Sequence, residues 1–341
     1  MIPGISLRLA MIAAALIFTT PDLQAKEKIV AYVPNWGEPE AYEAFVKTID
    51  YAHISHINIA FENPTNDQGD LSFNEKNDVL IAMAHAKNVK VLVSICGGSE
   101  SENETKRARY YNLLTEPNRA DFVAKLAKYV NDHGFDGLDV DIEGPAINKD
   151  YGAFIRELSA ALKPKGKLLT AALSKGYEGD RVPTCAFENF DFVNVMAYDE
   201  TGPWDKTKPG QHSSLEFAKN EVDYWLNRKL PASKTVLGVP FYGRGFGKKF
   251  SQEVYLYSKL VADYPDAEKS DQVGETIWYN GIPTIVAKTK YAIDRKLAGI
   301  MIWSLDSDVK GEKSLLDAII RTYRSRSAEV PSAVKNAPGT K

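Results

Sequence analysis

The stretch Phe-Asp-Gly-Leu-Asp-Val-Asp-Ile-Glu, residues 135–143, decides the fold prediction and most of the functional one. Side chains of an extended strand alternate between two faces, so Asp139, Asp141 and Glu143 point one way and the apolar residues between them point the other. Successive acids on that face lie about 6–7 Å apart. The apolar neighbours indicate burial on one side, where a charge costs free energy unless it is paired or protonated. We therefore interpret the three acids as functional.

Carboxylates this close to one another predict that at least one proton is retained at neutral pH, because they cannot all ionise cheaply. A retained proton makes a general acid. Spacing alone leaves two other interpretations open, a solvated strand edge and a calcium-binding acidic loop. Calcium loops favour Asp, Asn and Gly in a turn rather than a strand that alternates with Val and Ile, so the pattern favours catalysis.

Apolar, strand-like runs alternate with helical segments along the rest of the chain. The predicted strands cover residues 29–33, 57–61, 89–95, 135–142, 168–173, 192–197, 236–241 and 299–303. The predicted helices cover residues 41–50, 77–87, 118–133, 151–162, 215–228, 286–296 and 314–324. Nearly continuous apolar strands that alternate with helices indicate a parallel sheet covered on both faces. Eight of them predict an α/β fold, the closed (β/α)8 TIM barrel, with an open doubly wound sheet as the alternative.

Residues 26–326 are predicted to form one catalytic barrel domain. About fifty residues separate the seventh and eighth strands, and residues 247–284 of that connection predict a small insertion or lid. The polar segment 99–109 predicts a solvated loop at the rim of the barrel. Residues 327–341 have the composition of a disordered tail.

The first 25 residues have the pattern of a secretory signal peptide. Arg8 supplies a positive charge, residues 9–18 are apolar, and residues 19–25 are more polar, with cleavage expected after Ala25. The apolar run is too short to cross a bilayer, which takes about 20 residues. A short buried helix is the alternative. The chain is therefore expected to be secreted, in the periplasm or outside the cell, and to have no membrane span.

Charge and cysteine content exclude several classes of partner. The net charge of −3 gives no basic surface for nucleic acid or anionic membranes. Cys96 and Cys185 are predicted to be free buried thiols, with a single disulfide as the alternative. Five scattered His residues have no zinc-ligand spacing. We expect no metal, no cofactor and a monomer.

Residues 136–143 resemble the Asp-x-x-Asp-x-Asp-x-Glu signature of glycoside hydrolase family 18, which includes chitinases and endo-β-N-acetylglucosaminidases. Ser-Ile-Cys-Gly-Gly at 94–98 is similar to the family's Ser-x-Gly-Gly strand end, with one residue inserted. Residues 196–199 and 238–244 resemble its sixth- and seventh-strand motifs, and Trp303 falls where its eighth-strand Trp belongs. The resemblance extends from about residue 29 to residue 324.

The resemblance implies substrate-assisted hydrolysis with retention, in which the sugar's own acetamido group is the nucleophile. Glu143 would protonate the leaving oxygen and later activate water. Asp141 would bind the acetamido N–H and share a proton with Asp139. Tyr198 would bind the acetamido group, and Trp303 would form an apolar floor under the sugar.

Further residues are weaker candidates for the site. Asp199 is expected either to bind a sugar hydroxyl or to cap the loop after it, and Asp136 to give structural support. Other predicted substrate contacts, for which core or surface packing is equally open, are Tyr32, Trp36, Gly97, Gly98, Trp204, Tyr242 and Arg244.

The favoured function is a chitinase that acts on N-acetylglucosamine polymers. The alternatives are an endo-β-N-acetylglucosaminidase acting on N-glycans and a lectin-like barrel that binds sugar without cutting it. A metal-dependent barrel enzyme is disfavoured, because no further acids or His at strand ends complete a cage for a hard cation.

Overall fold

Eight parallel strands close into a barrel in the computed structural model, which describes residues 27–249 and 254–329. The barrel strands are β1 (Lys28–Pro34), β2 (His56–Ala60), β3 (Lys90–Cys96), β4 (Gly137–Asp141), β5 (Leu168–Leu173), β6 (Phe192–Val195), β7 (Thr235–Pro240) and β12 (Gly299–Trp303). β1 pairs with both β2 and β12, which closes the sheet. The predicted (β/α)8 barrel is confirmed, and the open-sheet alternative is wrong.

Helices surround the barrel. They are α1 (Pro39–Val46), α2 (Asn77–His85), α3 (Gly98–Glu102), α4 (Glu104–Leu114), α5 (Glu116–Asp132), α6 (Tyr151–Leu162), α7 (Leu215–Asn227), α8 (Tyr257–Asp263), α9 (Ile282–Asp294) and α10 (Leu315–Glu329). Within the described ranges, none of them is both long and apolar enough to cross a membrane.

The strands place apolar and polar side chains in separate layers. Outward-facing residues such as Ile59, Val93 and Val140 are fully buried between the barrel and the helices. Burying each such side chain stabilises the fold by about 1.5–3 kcal/mol. This apolar layer offsets the cost of the polar side chains that point into the barrel.

A small antiparallel sheet lies between β7 and β12. Its strands are β8 (Tyr242–Gly245), β9 (Tyr255–Leu256), β10 (Gln272–Val273) and β11 (Ile277–Trp278), in the order β10-β11-β8-β9. The sheet begins at Tyr242, five residues before the predicted start of the insertion, because β8 follows β7 almost directly. The predicted small insertion is therefore present, with an earlier boundary.

The segment 99–109 was predicted to be a loop, and this prediction is wrong because it lies in α3 and α4. Asn103 separates the two helices, and its side chain accepts a hydrogen bond from the Lys106 backbone N–H at 3.0 Å. The buried residues of α4 lie near its end, at Tyr110, Leu113 and Leu114. The first half of the helix therefore has no buried apolar residues from which helical periodicity could be recognised.

Two predicted terminal segments lie largely outside the described residues. The signal peptide, residues 1–25, is one of them. The tail was predicted to begin at residue 327, but α10 continues to Glu329, so that boundary is three residues too early. The rest of the predicted tail, residues 330–341, lies outside the described residues.

Candidate active site

The three acids of the motif occupy the end of β4 and the residues after it. Asp139 is fully buried, Asp141 is 3% exposed, and Glu143 is half-buried just past the strand. All of β4 is buried, and Val140 and Ile142 lie in the outer apolar core. The alternation predicted from the sequence therefore places the acids toward the interior and mouth of the barrel, as expected from strand geometry.

Hydrogen-bond donors from neighbouring strands surround Asp139. Its Oδ2 accepts from the hydroxyls of Tyr32 at 2.6 Å and Ser94 at 2.8 Å, and its Oδ1 accepts from Thr170 at 2.5 Å and more weakly from Asn194 at 3.4 Å. Burial raises the pKa of Asp139, and these four donors lower it part of the way back. Such a set of donors suits an ionised carboxylate, which can only accept.

Asp141 lies above this network with an unused acceptor. Its Oδ1 is buried, and no group in the described part of the chain hydrogen-bonds to it, Asp139 included. The predicted sharing of a proton between Asp139 and Asp141 therefore has no hydrogen bond to support it in this arrangement. Burial raises the pKa of Asp141 well above its usual range, and the charges of Glu143 and Asp139 raise it further.

Glu143 has the properties of a carboxylic acid that keeps its proton. Burial raises its pKa to about 8, with further increases from the charges of Asp199 and Glu102. Its backbone N–H donates to Ser101 Oγ at 3.2 Å, which fixes the turn after β4 to α3. A Cβ added to Gly98 would lie 3.6 Å from Glu143 Oε1, so the β3–α3 turn runs close to the carboxyl group.

That turn has an unusual backbone. Cys96 and Gly97 have φ angles of 74° and 82°, in the left-handed region. Asn63 holds Cys96 on both sides, accepting from its N–H at 2.6 Å and donating to its carbonyl at 3.1 Å. A Cβ on Gly97 would lie 2.6 Å from the Phe61 ring, so only glycine fits there without movement. The Cys96 thiol is buried and free.

A second cluster lies at the end of β6, around Asp199. Arg244 donates to both carboxylate oxygens, at 2.9 and 2.7 Å, and the Tyr242 hydroxyl donates at 2.7 Å. His212 Nδ1 lies 3.2 Å from Asp199 Oδ1. Burial raises the pKa of Asp199, but the hydrogen bonds from His212 and Arg244 and the charge of Arg244 outweigh it and hold the pKa well below its usual range. Asp199 is therefore a permanent anion beside Tyr198.

Aromatic rings form one wall of the barrel mouth. Trp303 is half-buried, with its ring centroid 5.3 Å from that of Tyr32 and 5.7 Å from that of Phe61. The ring of Tyr198 lies edge-on to Tyr242 at 6.1 Å. Trp303 ends β12 and Tyr198 follows β6, so both lie at the same end of the barrel as the acids.

The chain belongs to glycosyl hydrolases family 18. The sequence model of that family, described as "Glycosyl hydrolases family 18", matches residues 28–308. The match covers every barrel strand and all the acids, so the predicted resemblance is confirmed.

Family 18 relatives resemble the chain over most of its length. Chitotriosidase-1 of Mus musculus is 28% identical over 381 residues, covering 91% of this chain and 80% of the relative. A crystal structure of the GH18 chitinase ChiB of Flavobacterium johnsoniae is 36% identical, with a TM-score of 0.80, and covers 89% of this chain and 95% of that one. A chitinase structure from Bacteroides thetaiotaomicron is 25% identical, with a TM-score of 0.75 and coverages of 87% and 96%.

The weaker site predictions for this family 18 chain have mixed outcomes. Trp36 and Trp204 are 60% and 59% exposed at the barrel mouth, and Trp204 stacks on Arg244 with 4.8 Å between the guanidinium carbon and the ring centroid. Tyr32 is only 1% exposed and bonds to Asp139, so it packs in the core, which the sequence left open as an alternative. Tyr242 is 4% exposed and likewise holds Asp199 from inside.

Asp136 lies at the opposite end of β4 from the site. Its carboxylate accepts from His85 Nε2 and Lys90 Nζ, each at 2.8 Å, and from the Val91 backbone N–H at 2.9 Å. It therefore joins β4 to the start of β3, which is structural support away from the acids.

Cys185 is exposed, so the prediction that it is a buried thiol is wrong, and it forms no disulfide.

Sequence reasoning missed Thr170, Asn194 and His212. Thr170 and Asn194 are single polar residues inside apolar strands, and that pattern could have identified them. Thr170 also pairs in register with Asp139. His212 lies in a loop 13 positions after Asp199, and no local pattern marks it.

Across residues 27–249 and 254–329, no three His, Cys, Asp or Glu side chains are grouped to hold a metal ion.

Proposed function

We propose that this protein is a retaining glycoside hydrolase that cleaves β-1,4 linkages in polymers of N-acetylglucosamine. The observation that carries the proposal is the pair formed by Glu143, with a pKa of about 8, and Asp141, with an unpartnered buried oxygen. Glu143 can donate a proton and Asp141 can accept a hydrogen bond at the same strand end. This arrangement suits a substrate that presents a glycosidic oxygen and an amide N–H.

In the first step, protonated Glu143 gives its proton to the glycosidic oxygen as the bond from that oxygen to the anomeric carbon breaks. The carbonyl oxygen of the substrate's acetamido group attacks the same carbon and forms an oxazolinium ring. The unpartnered Oδ1 of Asp141 accepts the acetamido N–H. The positive charge of the ring opposes the effect of burial on Asp141 and favours its ionised form, which then balances that charge.

In the second step, ionised Glu143 takes a proton from water, whose oxygen bonds to the anomeric carbon and opens the ring. Two displacements at one carbon give net retention of configuration. The cycle ends with Glu143 protonated again, and its raised pKa favours that state.

Tyr198 and Trp303 are placed to hold the sugar during these steps. The Tyr198 hydroxyl would direct the acetamido carbonyl toward the anomeric carbon. The half-buried Trp303 face would take the apolar C–H face of the sugar. The names of the family relatives, several of them chitinases, support chitin fragments as the substrate class.

One digestion experiment tests this function. Defined chitooligosaccharides and a high-mannose glycoprotein are incubated separately with the protein, and the products are resolved by mass. We expect shortened chitooligosaccharides and an intact N-glycan. Release of the N-glycan alone would support an endo-β-N-acetylglucosaminidase, whereas binding of chitooligosaccharides without cleavage would support a lectin-like barrel.

We further propose that the chain is exported, on the basis of the leader pattern in residues 1–25. The protein recovered from the periplasm or medium should begin at Lys26 by N-terminal sequencing. A chain that keeps Met1 and stays inside the cell would contradict export.

A further inference from the structure

Lys288 on α9 is fully buried, yet its ammonium group has a complete set of partners. Nζ donates to the Ser213 carbonyl at 2.7 Å, to Ser213 Oγ at 2.6 Å and to Asn280 Oδ1 at 2.7 Å. A protonated lysine has three N–H donors, so all of them are used. None of the three partners is a carboxylate.

The partners of Lys288 are themselves oriented to accept from a cation. The Ser213 hydroxyl donates its own hydrogen to the Ala197 carbonyl at 2.6 Å, and Asn280 Nδ2 donates to the Ser213 carbonyl at 2.8 Å. Both side-chain oxygens are thereby left to accept from Lys288. A buried cation without a counter-charge costs free energy, and an apolar side chain of similar size would be at least as stable. The network therefore suggests a role beyond stability.

The network leads to the candidate active site. Ser213 follows His212, whose Nδ1 lies 3.2 Å from Asp199 Oδ1, and the backbone N–H of Glu200 donates to the His212 carbonyl at 3.0 Å. Asp199 has a φ of 63°, which residues other than glycine seldom adopt. The Ser213 hydroxyl, through Ala197, holds the other side of the same short segment, which carries Tyr198.

We propose that Lys288 is a positioning residue that holds Tyr198 and Asp199 in the orientation the reaction needs, and that its deprotonation releases them. The proposal rests on the proposed function, because it assigns Tyr198 a place against the substrate. A neutral amine has two N–H donors and a lone pair, so one of the three oxygens then faces the lone pair and loses its hydrogen bond.

Burial and the neighbouring charges determine the pKa of Lys288, and so the pH at which it loses its proton. Burial lowers the pKa of Lys288 to about 7, against the opposing charge of Asp271. Burial also lowers the pKa of His212, which lies on the loop that faces α9. The hydrogen bond and charge of Asp199 raise it, and the charges of Arg244 and Lys288 offset part of that increase. His212 is therefore neutral at working pH, and Lys288 is the group in this network that titrates.

Replacing Lys288 tests the positioning role. Lys288→Met keeps an unbranched apolar side chain, one atom shorter, and removes the donors. Lys290→Met removes an exposed lysine from the same helix as a control. Misplacement of Tyr198 should lower kcat on chitooligosaccharides by about 10- to 100-fold with a smaller change in KM. Lys290→Met should behave like the wild type. Unchanged kcat in Lys288→Met would overturn the proposal.

Asp271→Asn tests the charge. Asp271 accepts from the Gly281 N–H at 2.8 Å and from the Thr284 hydroxyl at 2.6 Å, and an asparagine can keep both bonds because the hydroxyl can also accept. Activity of the wild type should fall in two overlapping steps as pH rises, the first through about 7 from Lys288 and the second through about 8 from Glu143. Asp271→Asn should move only the first step to lower pH. A profile that does not move would overturn the pH dependence.

Two measurements keep the proposal testable if Lys288→Met does not fold or if no substrate is cut. Ser213→Ala removes one acceptor and the bond to Ala197, and it should lower kcat in the same direction. Thermal unfolding needs no substrate. Because the unfolded chain holds the Lys288 proton to higher pH than the fold, wild-type stability should rise relative to Lys288→Met above pH 7. Parallel curves would contradict the titration, whereas intact oligosaccharides would contradict only the proposed function.

Discussion

The hydroxyl of Tyr32 donates to Asp139 Oδ2 at 2.6 Å, across the barrel interior and between residues 107 positions apart. The bond joins β1 to β4 directly beneath Asp141. Because Asp139 is fully buried, each donor that reaches it offsets part of the cost of burying a carboxylate. The hydrogen-bond network around Asp139, beneath Asp141, therefore helps to stabilise the fold.

Tyr32→Phe should lower the free energy of unfolding by about 1.5–3 kcal/mol, because it removes a hydrogen bond to a charged group. Tyr51→Phe is the matched control, since the Tyr51 hydroxyl is bonded to the neutral Val46 carbonyl at 3.0 Å and its loss should cost about 0.5–1.5 kcal/mol. Urea unfolding measures both. Equal losses in the two variants would mean that Asp139 is not ionised in the fold.

Glu143→Gln should lower kcat on chitooligosaccharides by about 10²–10⁴-fold, because the amide cannot give up a proton as the leaving oxygen departs. Binding of the oligosaccharide, measured by calorimetry, should persist since the shape of the site is kept. Glu104→Gln, an exposed acid at the start of α4, is the control and should be silent. Turnover at the wild-type rate in Glu143→Gln would refute the mechanism.

The raised pKa of Glu143 predicts two effects of pH. Activity should fall as pH rises through about 8, where the acid loses its proton. The stabilising contribution of the protonated group is full below its usual pKa of 4.5 and is lost as pH rises through about 8, so wild-type stability should decline over that range relative to Glu143→Gln. Unfolding midpoints across this range check the sign, and a rise in relative stability would contradict it.

The sequence predicts the barrel and the acids because both follow from local patterns. Two-residue alternation at 139–143 and eight apolar runs are visible without any contact. For Tyr32 and Tyr242 the sequence left groove and core packing equally open, because their burial depends on partners that are distant in sequence, Asp139 and Asp199. A tyrosine at a strand end is compatible with either a groove or a core, and only the closed barrel decides between them.

Gly97→Ala should disturb both fold and activity, because Gly97 combines a φ of 82° with a Cβ position 2.6 Å from the Phe61 ring. Gly134→Ala is the control, with a φ of 71° and open space around its Cβ position. The left-handed φ should cost Gly134→Ala about 1–2 kcal/mol. Gly97 has a ψ of 169°, in a region that essentially only glycine occupies, so its backbone should cost about 1–3 kcal/mol, and the clash should add about 1–3 kcal/mol. Urea unfolding measures the difference; equal costs would show that Phe61 yields freely.

Arg244→Met should destabilise the protein far more than the loss of a surface ion pair, because the fork of Arg244 on Asp199 is mostly shielded from solvent. The side chains are 12% and 31% exposed, with 2.7 Å between Arg244 Nη2 and Asp199 Oδ2. Arg295→Met is the control, since its pair with Asp223 has the same distance but is 40% and 45% exposed. We expect losses of about 3 kcal/mol at Arg244 and under about 1 kcal/mol at Arg295. Urea unfolding compares them, and equal losses would mean that Tyr242 and His212 hold Asp199 without the guanidinium.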